Sequence, residues 1–403
     1  MARWQIVVGP ATQGPVAELV SASSRRIVWR LSEPSTLNFT LPGRDPQTGF
    51  IAELATDVHL LIDGVPWFTG RVGGTVDEIS DDRHVVSVAA ADTRALLGRR
   101  LWPDPLWGNS ENPTGRRFVG DAGALARLLV DTAQAADGGD LGITTTTVPD
   151  IGVAVDRTIE SGSPILANLD ALAATAGFDW DISPGWTGRE LQLWTPRGVD
   201  RGVVLDYTST PGQPRSSIIA RVSRQVDPAM VATAVVVLGG VRVEHQTMQI
   251  TTTDDEGNPV TELVSYEVRI PTHPEYRSVA PGAAEGLWES RVVEAAYTTQ
   301  GEVAARADAE AAKLGQVTPT YEITLQDHAW GGPSHIWLGD TVRVWLRSGR
   351  LSEDLQLRVT EIDLTLGESG EESVTLTLGT PRATLLREIH AMSRRLITAS
   401  RAA

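Results

Sequence analysis

One block of strand and turn signals occurs twice in this chain, once near each end, and that repetition limits the fold more than any other feature. The first copy reads TDVHLLIDG, FTGRVGGTVDEIS, a DDRH turn, HVVSVAAAD and TRALLGRR. The second reads GDTVRVWLRSG, LQLRVTEIDLTL, a GESGEE turn, SVTLTLGT and PRATLLRE. Asp57 answers Asp340, Arg71 and Val72 answer Arg358 and Val359, Val86–Val88 answers Leu376–Leu378, and Leu96 and Leu97 answer Leu385 and Leu386. A unit that recurs once, far away in the chain, predicts two similar β units brought together rather than a many-unit solenoid.

The 403 residues suit roughly two to four domains. With 41% apolar and 21% charged residues the chain can bury real cores. A net charge of −16 argues against general binding to nucleic acid or anionic membranes, both of which need positive potential. It is compatible with a surface that nucleic acid slides past without sticking. Of 35 basic residues only Lys313 is a lysine, which reads as genome composition rather than mechanism. There is no cysteine, so disulfides, thiolate metal sites and thiol catalysis are excluded. MARWQIVVGPATQGP carries too short an apolar run for a signal peptide, and no stretch approaches the roughly 20 apolar residues that span a bilayer. The expectation is a soluble protein made in the cytoplasm.

Residues 1–100 predict strands at WQIVV, RRIVWRL, TLNFTLP, DVHLLID, WFTGRV and HVVSVAA, with Asp63-Gly64 as a two-residue hairpin turn. LWPDPLWGNSENPTG reads as a loop or linker. Residues 101–205 predict an α/β domain. Leu125, Leu128, Leu129 and Ala133 form one helical stripe. A second helix has Ser163 as N-cap, Pro164 at N1, Gly177 as its stop, and Ile165, Leu166, Leu169, Leu172, Ala173 and Ala176 on its buried face. FDWDIS and ELQLWTP then predict a hairpin. Residues 206–380 return to β, with an inserted hairpin at about 241–270 and a helix at about 300–314. Thr299 and Glu302 have capping-box spacing there, and Gly315 marks the end. The last segment, 381–403, predicts a basic helix in which Leu385, Ile389, Met392 and Leu396 follow a heptad seam. Arg387, Arg394 and Arg395 share that tail, which serves as an interface or packs on its own β unit.

Few residues carry chemistry. Asp179 and Asp181 lie at i, i+2 on a predicted strand, about 7 Å apart, within reach of glycosidase chemistry. Solubility of a strand edge explains them without catalysis, and that reading is preferred. His328 and His335, with Asp327 and Asp340, have the donors for a metal shell, but Gly331, Gly332 and Pro333 leave their separation unconstrained. Asp254, Asp255 and Glu256 lack the spacing of a calcium loop and fit a hairpin tip. No nucleophile elbow, phosphate-binding loop or zinc-protease motif occurs, so no catalytic residue, metal or cofactor is expected. Of 12 tryptophans, Trp102, Trp107, Trp330 and Trp337 fall in or beside loops, where core or subunit packing competes with partner anchoring and sugar stacking.

This layout, with GDTVRVW, LRVTEI and SVTLTLG repeating DVHLLIDG, FTGRV and HVVSVAAAD, resembles the hub, or tail-associated protein, at the distal end of long-tailed bacteriophages. The resemblance covers roughly residues 1–385 and rests on apolar and turn patterns. It implies a mainly β, α+β chain: two tube-type β-barrel or sandwich domains (1–100 and 206–380), an intervening α/β domain (101–205) and a C-terminal helix (381–403). It further implies a homotrimer, in which twin domains from three subunits meet a sixfold tail tube while presenting threefold symmetry to the tip. Implied partners are the distal tail ring protein, the C-terminus of the tape-measure protein and a downstream tip or receptor-binding protein. Genomic DNA would pass through without specific binding. Localisation would be the virion's distal tail tip, after assembly in the host cytoplasm. The sequence ends soon after its second β unit, so no hydrolase or receptor-binding region is expected. Two other readings compete: a cell-wall-degrading or glycan-binding tail protein using Asp179 and Asp181 or exposed tryptophans, and the hexameric distal tail ring protein. The doubled unit disfavours the ring protein.

Overall fold

The computed structural model describes residues 3–10, 14–81, 83–103, 116–186, 188–209, 218–226, 232–253, 259–278, 289–294, 300–314, 319–326, 329–367 and 371–379. The N-terminal unit contains β1 (Trp4–Pro10), β2 (Ala17–Glu18), β3 (Ser23–Arg30), β4 (Thr36–Pro42), β5 (Thr56–Ile62), β6 (Val65–Ile79), β7 (His84–Asp92) and a short helix α1 (Thr93–Leu97). The middle region contains β8 (Arg116–Asp121), α2 (Ala122–Gln134), β9 (Ile143–Thr144), β10 (Ala154–Ile159), α3 (Ile165–Ala176), β11 (Asp179–Ile182) and β12 (Arg189–Trp194). The remainder contains β13 (Asp200–Ser209), β14 (Ile219–Gln225), β15 (Ala234–Thr253), β16 (Pro259–Ser278), β17 (Glu289–Glu294), α4 (Gln300–Leu314), β18 (Thr320–Leu325), β19 (Thr341–Ser348), β20 (Leu351–Leu366) and β21 (Glu372–Leu378). The fold is mainly β.

The repeated block is a repeated topology. In the N-terminal unit the strands run in the spatial order β3-β4-β7-β6-β5-β1, and in the C-terminal unit β14-β18-β21-β20-β19-β13. Each unit has one long strand, β6 or β20, that serves two partners. Its first half pairs with β5 or β19 and its second with β7 or β21. A β-bulge sits at the changeover in both, between Val72 and Gly74 and between Val359 and Glu361. An extra residue at that point bends the strand and lets its two halves serve different parts of the sheet. The shared bulge makes Val72 equivalent to Val359 and carries Gly74–Ile79 onto Glu361–Leu366. Through the ladders it also refines the alignment read from sequence: Val86 and Val88 match Val374 and Leu376, two residues earlier than the expected partners. The outermost strands differ, because β1 runs antiparallel to β5 while β13 runs parallel to β19.

The two units join in a 13-stranded sheet through an antiparallel ladder between β3 and β20, from Glu361 opposite Arg30 to Leu366 opposite Arg25. Their apolar faces share one core, in which Leu37, Phe39 and Val88 belong to the same cluster as Ile323, Ile362 and Leu376. Alternation explains which side chains enter it. In β19, Val342, Val344 and Leu346 point in while Arg343, Trp345 and Arg347 are exposed. Asp63 and Gly64 both adopt positive φ, 51° and 80°, as a type I′ turn requires between Ile62 and Val65.

The middle region has its own core, where α2 and α3 bring Leu125, Leu129, Ile165, Leu169 and Leu172 against Trp102 and Trp180. Leu128 is only partly buried on the expected stripe. The start of α3 differs from expectation. Pro164 is the cap, and no side chain caps the helix. The Ser163 hydroxyl instead donates to the Glu160 carbonyl at 2.6 Å and accepts from Asn168 Nδ2 at 2.8 Å, so it is turned away from the helix amides. Gly177 closes the helix in the left-handed region, with φ 72°, as its lack of a Cβ permits. The hairpin predicted at about 241–270 is longer, formed by β15 and β16, with β17 parallel to β15 and Val303 and Ala307 of α4 packed with Val235 and Val237. Thr299, Gly315 and the 381–403 segment, including Leu385, Ile389, Met392, Leu396, Arg387, Arg394 and Arg395, lie outside the described residues.

Candidate functional site

The densest polar chemistry lies where the middle region meets the two β units. Asp57, on β5, is almost fully buried, accepts from Arg71 Nε at 2.8 Å, and also pairs with the buried Arg189 of β12. Arg189 in turn donates to the Leu141 carbonyl at 3.0 Å. Asp92 accepts from Ser35 N at 2.7 Å and from Arg94 N and Nε at 3.0 Å each. Arg94, also buried, reaches the Arg30 carbonyl at 2.9 Å and stands 3.4 Å from Asp181. Burial pushes the Asp92 carboxyl above the usual carboxylate range, and the Arg94 guanidinium opposes that shift.

The C-terminal unit meets the same region with different partners. Arg358, the counterpart of Arg71, donates to the carboxylate of Asp179 and to the Arg197 carbonyl at 2.8 Å. Asp340 accepts from Val199 N at 3.0 Å, Arg201 Nε at 2.7 Å and Trp337 N at 2.9 Å. Asp57 and Asp340 therefore both sit at the start of their strands and bind arginines, Arg189 of the middle region for one and Arg201 of β13 for the other. Their rungs differ by one: Asp57 faces Arg71, whereas Asp340 precedes Thr341, which faces Arg358.

This geometry decides the sequence candidates. Asp179 accepts from Arg197 N at 2.7 Å and pairs with Arg358; Asp181 pairs with Arg197 at 2.7 Å and with Arg94. A catalytic carboxylate needs access to its substrate, while these carboxylates have their oxygens taken up by arginines of the same chain. The pair fastens the middle region to the sheet. Asp340 is likewise occupied by protein donors, and Asp327 and His328 lie outside the described residues. So do Asp254, Asp255 and Glu256. Among the described residues no cluster of His, Asp and Glu suits a metal ion, and no helix is long and apolar enough to cross a membrane.

The described loop tryptophans, Trp102, Trp330 and Trp337, resolve as packing. Trp29 and Trp67 each meet Trp337 edge-on at 5.1 Å between ring centroids, and Trp330 lies 5.9 Å from Trp29. Trp330 is 2% exposed and donates to the Ile336 carbonyl at 3.1 Å; Trp102 is 4% exposed in the middle-region core. Neither can stack on a sugar. Trp107 lies outside the described residues. Several buried polar residues escaped the sequence reading, among them Arg94, Arg189 and His59. His59, on β5, bonds Thr69 Oγ1 at 3.0 Å and sits 4.8 Å from the Trp186 ring, and burial lowers its pKa to about 4. Its place in the run TDVHLLI, apolar on both sides, was the available signal.

No family model matches the sequence, and no curated protein matches it as a relative. Solved structures do match. A tail protein from Neisseria meningitidis MC58 shares 14% identity, with 94% of this chain and 96% of that one covered, at a TM-score of 0.58. The chain has the fold of phage tail proteins. The 43 kDa tail protein of prophage MuSo2 from Shewanella oneidensis superposes at a TM-score of 0.59 with 14% identity, covering 93% of this chain and 98% of that one. Prophage tail protein gp18 from Listeria monocytogenes EGD-e gives 0.54 with 12% identity, covering 97% and 99%. At these identities the likeness is one of fold.

Proposed function

We propose that this chain is a structural, non-enzymatic hub at the distal tip of a long, non-contractile phage tail. It acts as a homotrimer that joins the sixfold distal tail ring and tube to threefold tip proteins and closes the DNA channel until ejection. The observation that carries this reading is the doubled β unit: two sets of strands in one order, with the same bulge, fused in a single sheet. Three such chains supply six near-equivalent units, so a threefold body can meet a sixfold tube. The tail-protein fold supports the setting. The occupied state of Asp179 and Asp181 supports a role without catalysis. A net charge of −16 suits a passage for DNA, since attraction to phosphates would stall it.

The proposed partners are the distal tail ring protein above, the tape-measure C-terminus in the channel, and a tip or receptor-binding protein below. The last docks through the seam of Leu385, Ile389, Met392 and Leu396, flanked by Arg387, Arg394 and Arg395. Native mass measurement tests the stoichiometry: about three chain masses is expected, and a stable monomer or hexamer overturns the hub reading. Ile389→Asp combined with Met392→Asp should keep that mass and abolish tip assembly. Virions that assemble and infect normally with both changes would remove the seam from the proposal.

A further inference from the structure

The two β units carry opposite charge at one matched turn. The β6–β7 turn of the N-terminal unit is closed by Ser80 N donating to the Arg83 carbonyl at 2.7 Å, and the equivalent β20–β21 turn by Gly367 N donating to the Glu371 carbonyl at 2.9 Å. The first rungs beyond these turns pair Ile79 with His84 and Leu366 with Glu372. Arg83 and His84 therefore stand where the second unit has Glu371 and Glu372, and the sign of charge inverts between the copies. A neighbouring turn, held by Asp45 N donating to the Pro42 carbonyl at 2.9 Å, brings Arg44 to the same place. β3 completes it. Its ladder to β4 shifts register between Ser23 and Arg26, with Ser24 at φ 48°, and an irregularity of this kind re-aims side chains at the end of a strand. The result is a cleft of about 350 Å³ over the ends of β3, β4 and β7, walled by Ser23, Ser24, Thr40, Arg44, Arg83 and His84. Among the described residues no Asp or Glu lines it.

We infer that this cleft binds the phosphate group of a phosphorylated polyol or sugar. The chain has 51 acidic residues against 35 basic ones, and exposed arginines on its strands find acidic partners, Arg26 with Asp363 at 2.6 Å and Arg343 with Asp354 at 2.5 Å. Arg44 and Arg83 are exposed and pair with no carboxylate among the described residues. Asp45, next to Arg44, is taken up by Ser21 and by Gln47 N at 2.8 Å, and Asp77 bonds His84 Nε2 at 2.9 Å. Two guanidinium groups without a counter-ion on one concave surface hold a positive potential, and the planar fork of arginine donates in pairs to phosphate oxygens. The His84 ring is held against Gly43, where an added Cβ would stand 2.2 Å from it, so one wall is fixed. The hydroxyls of Ser23, Ser24 and Thr40, the first and last 2.9 Å apart, suit the hydroxyls of a carbon chain attached to the phosphate. Nucleic acid fits less well. Single strands are held by stacking bases on aromatic rings, and no Trp, Tyr or Phe lines the cleft among the described residues.

The site goes beyond the hub reading and does not depend on it, since each chain carries the whole cleft. Calorimetric titration of the full-length protein at constant ionic strength tests it, with inorganic phosphate, glycerol phosphate and a short oligothymidylate as separate probes. Glycerol phosphate is expected to bind once per chain and more tightly than inorganic phosphate. Arg44→Gln and Arg83→Gln should each weaken it by about tenfold or more, the scale of a charged hydrogen bond. Arg350→Gln removes an exposed charge outside the cleft and should leave binding unchanged. Ser24→Gly accommodates the positive φ and removes one hydroxyl, so it should lower the preference for glycerol phosphate over inorganic phosphate. All four substitutions are at exposed positions, so the variants should melt with the wild type. Equal affinity for inorganic phosphate and glycerol phosphate would overturn the polyol assignment and keep the anion site. Tighter binding of oligothymidylate, lost with the same two arginines, would give the cleft to nucleic acid instead. Binding of no phosphate, or binding unchanged by Arg44→Gln and Arg83→Gln, would remove the site and leave the hub reading as it stands.

Discussion

β5 and β19 hold the same place in their units, yet one is buried on both faces and the other on one. Every residue of β5, from Thr56 to Ile62, is buried, whereas β19 alternates strictly between core and solvent. The middle region makes the difference. It lays Trp186 and Arg189 over the outer face of β5, enclosing His59 and Asp57, and touches the C-terminal unit mainly through Arg358 and Asp340. Duplication thus supplied two copies of a frame, and each copy was finished differently. One unit has a polar anchor sealed on the outer face of β5, and its strand extension meets no second strand among the described residues; the other has its extension covered and its outer face left charged.

The sharpest way to break this comparison is to remove the aspartates. Asp57→Ala strands Arg189 in a buried site and should cost about 3–5 kcal/mol, the range for breaking a buried ion pair from one side. Asp340→Ala leaves Arg201 partly exposed and able to rehydrate, so about 1.5–3 kcal/mol is expected from the lost charged hydrogen bonds. Denaturant melts of both variants decide it, and equal losses would mean that the deeper burial of Arg189 makes no difference. A second contrast uses residues at one equivalent position. Leu364→Ala should cost about 2–5 kcal/mol as a core truncation, and Asp77→Ala, an exposed partner of His84, no more than about 1 kcal/mol.

A further contrast is a pH dependence set by the N-terminal unit. Burial lowers the pKa of His59 from 6.5 to about 4, so its neutral form belongs to the fold. The unfolded chain then binds the proton more readily, and the associated stability is complete above pH 6.5 and is lost as pH falls toward 4. The full span is on the order of 3 kcal/mol. Thermal melts of the wild type and His59→Gln between pH 7 and 4 should converge on acidification. Parallel pH profiles would assign the acid sensitivity to other groups.

Much of the fold was legible because it depends on near neighbours in sequence. Asp63-Gly64 gave its turn through a φ preference that few residue pairs satisfy, and Gly177 gave the end of α3 in the same way. The alternation in TVRVWLRS placed Val342, Val344 and Leu346 on one face without reference to the rest of the chain. Errors arose where a partner was distant. Asp179 and Asp181 looked available because Arg358 and Arg94 are remote in sequence, and packing of the loop tryptophans, though the favoured reading, could not be given its partners because Trp29, Trp67, Trp330 and Trp337 meet only in three dimensions. Ser163 was misplaced by a nearer competitor, the Glu160 carbonyl, which captured its hydroxyl.

The amino-acid order alone settled that this chain builds one β unit twice, since side-chain period and turn chemistry act over a few residues and recur wherever the pattern recurs. Tertiary structure alone decided what each copy would touch: which aspartate is sealed beneath an arginine, and which strand extension finds a second neighbour among the described residues. Those outcomes depend on pairings across hundreds of residues, where hydrogen-bonding edges and burial are shared among segments that carry no mark of one another.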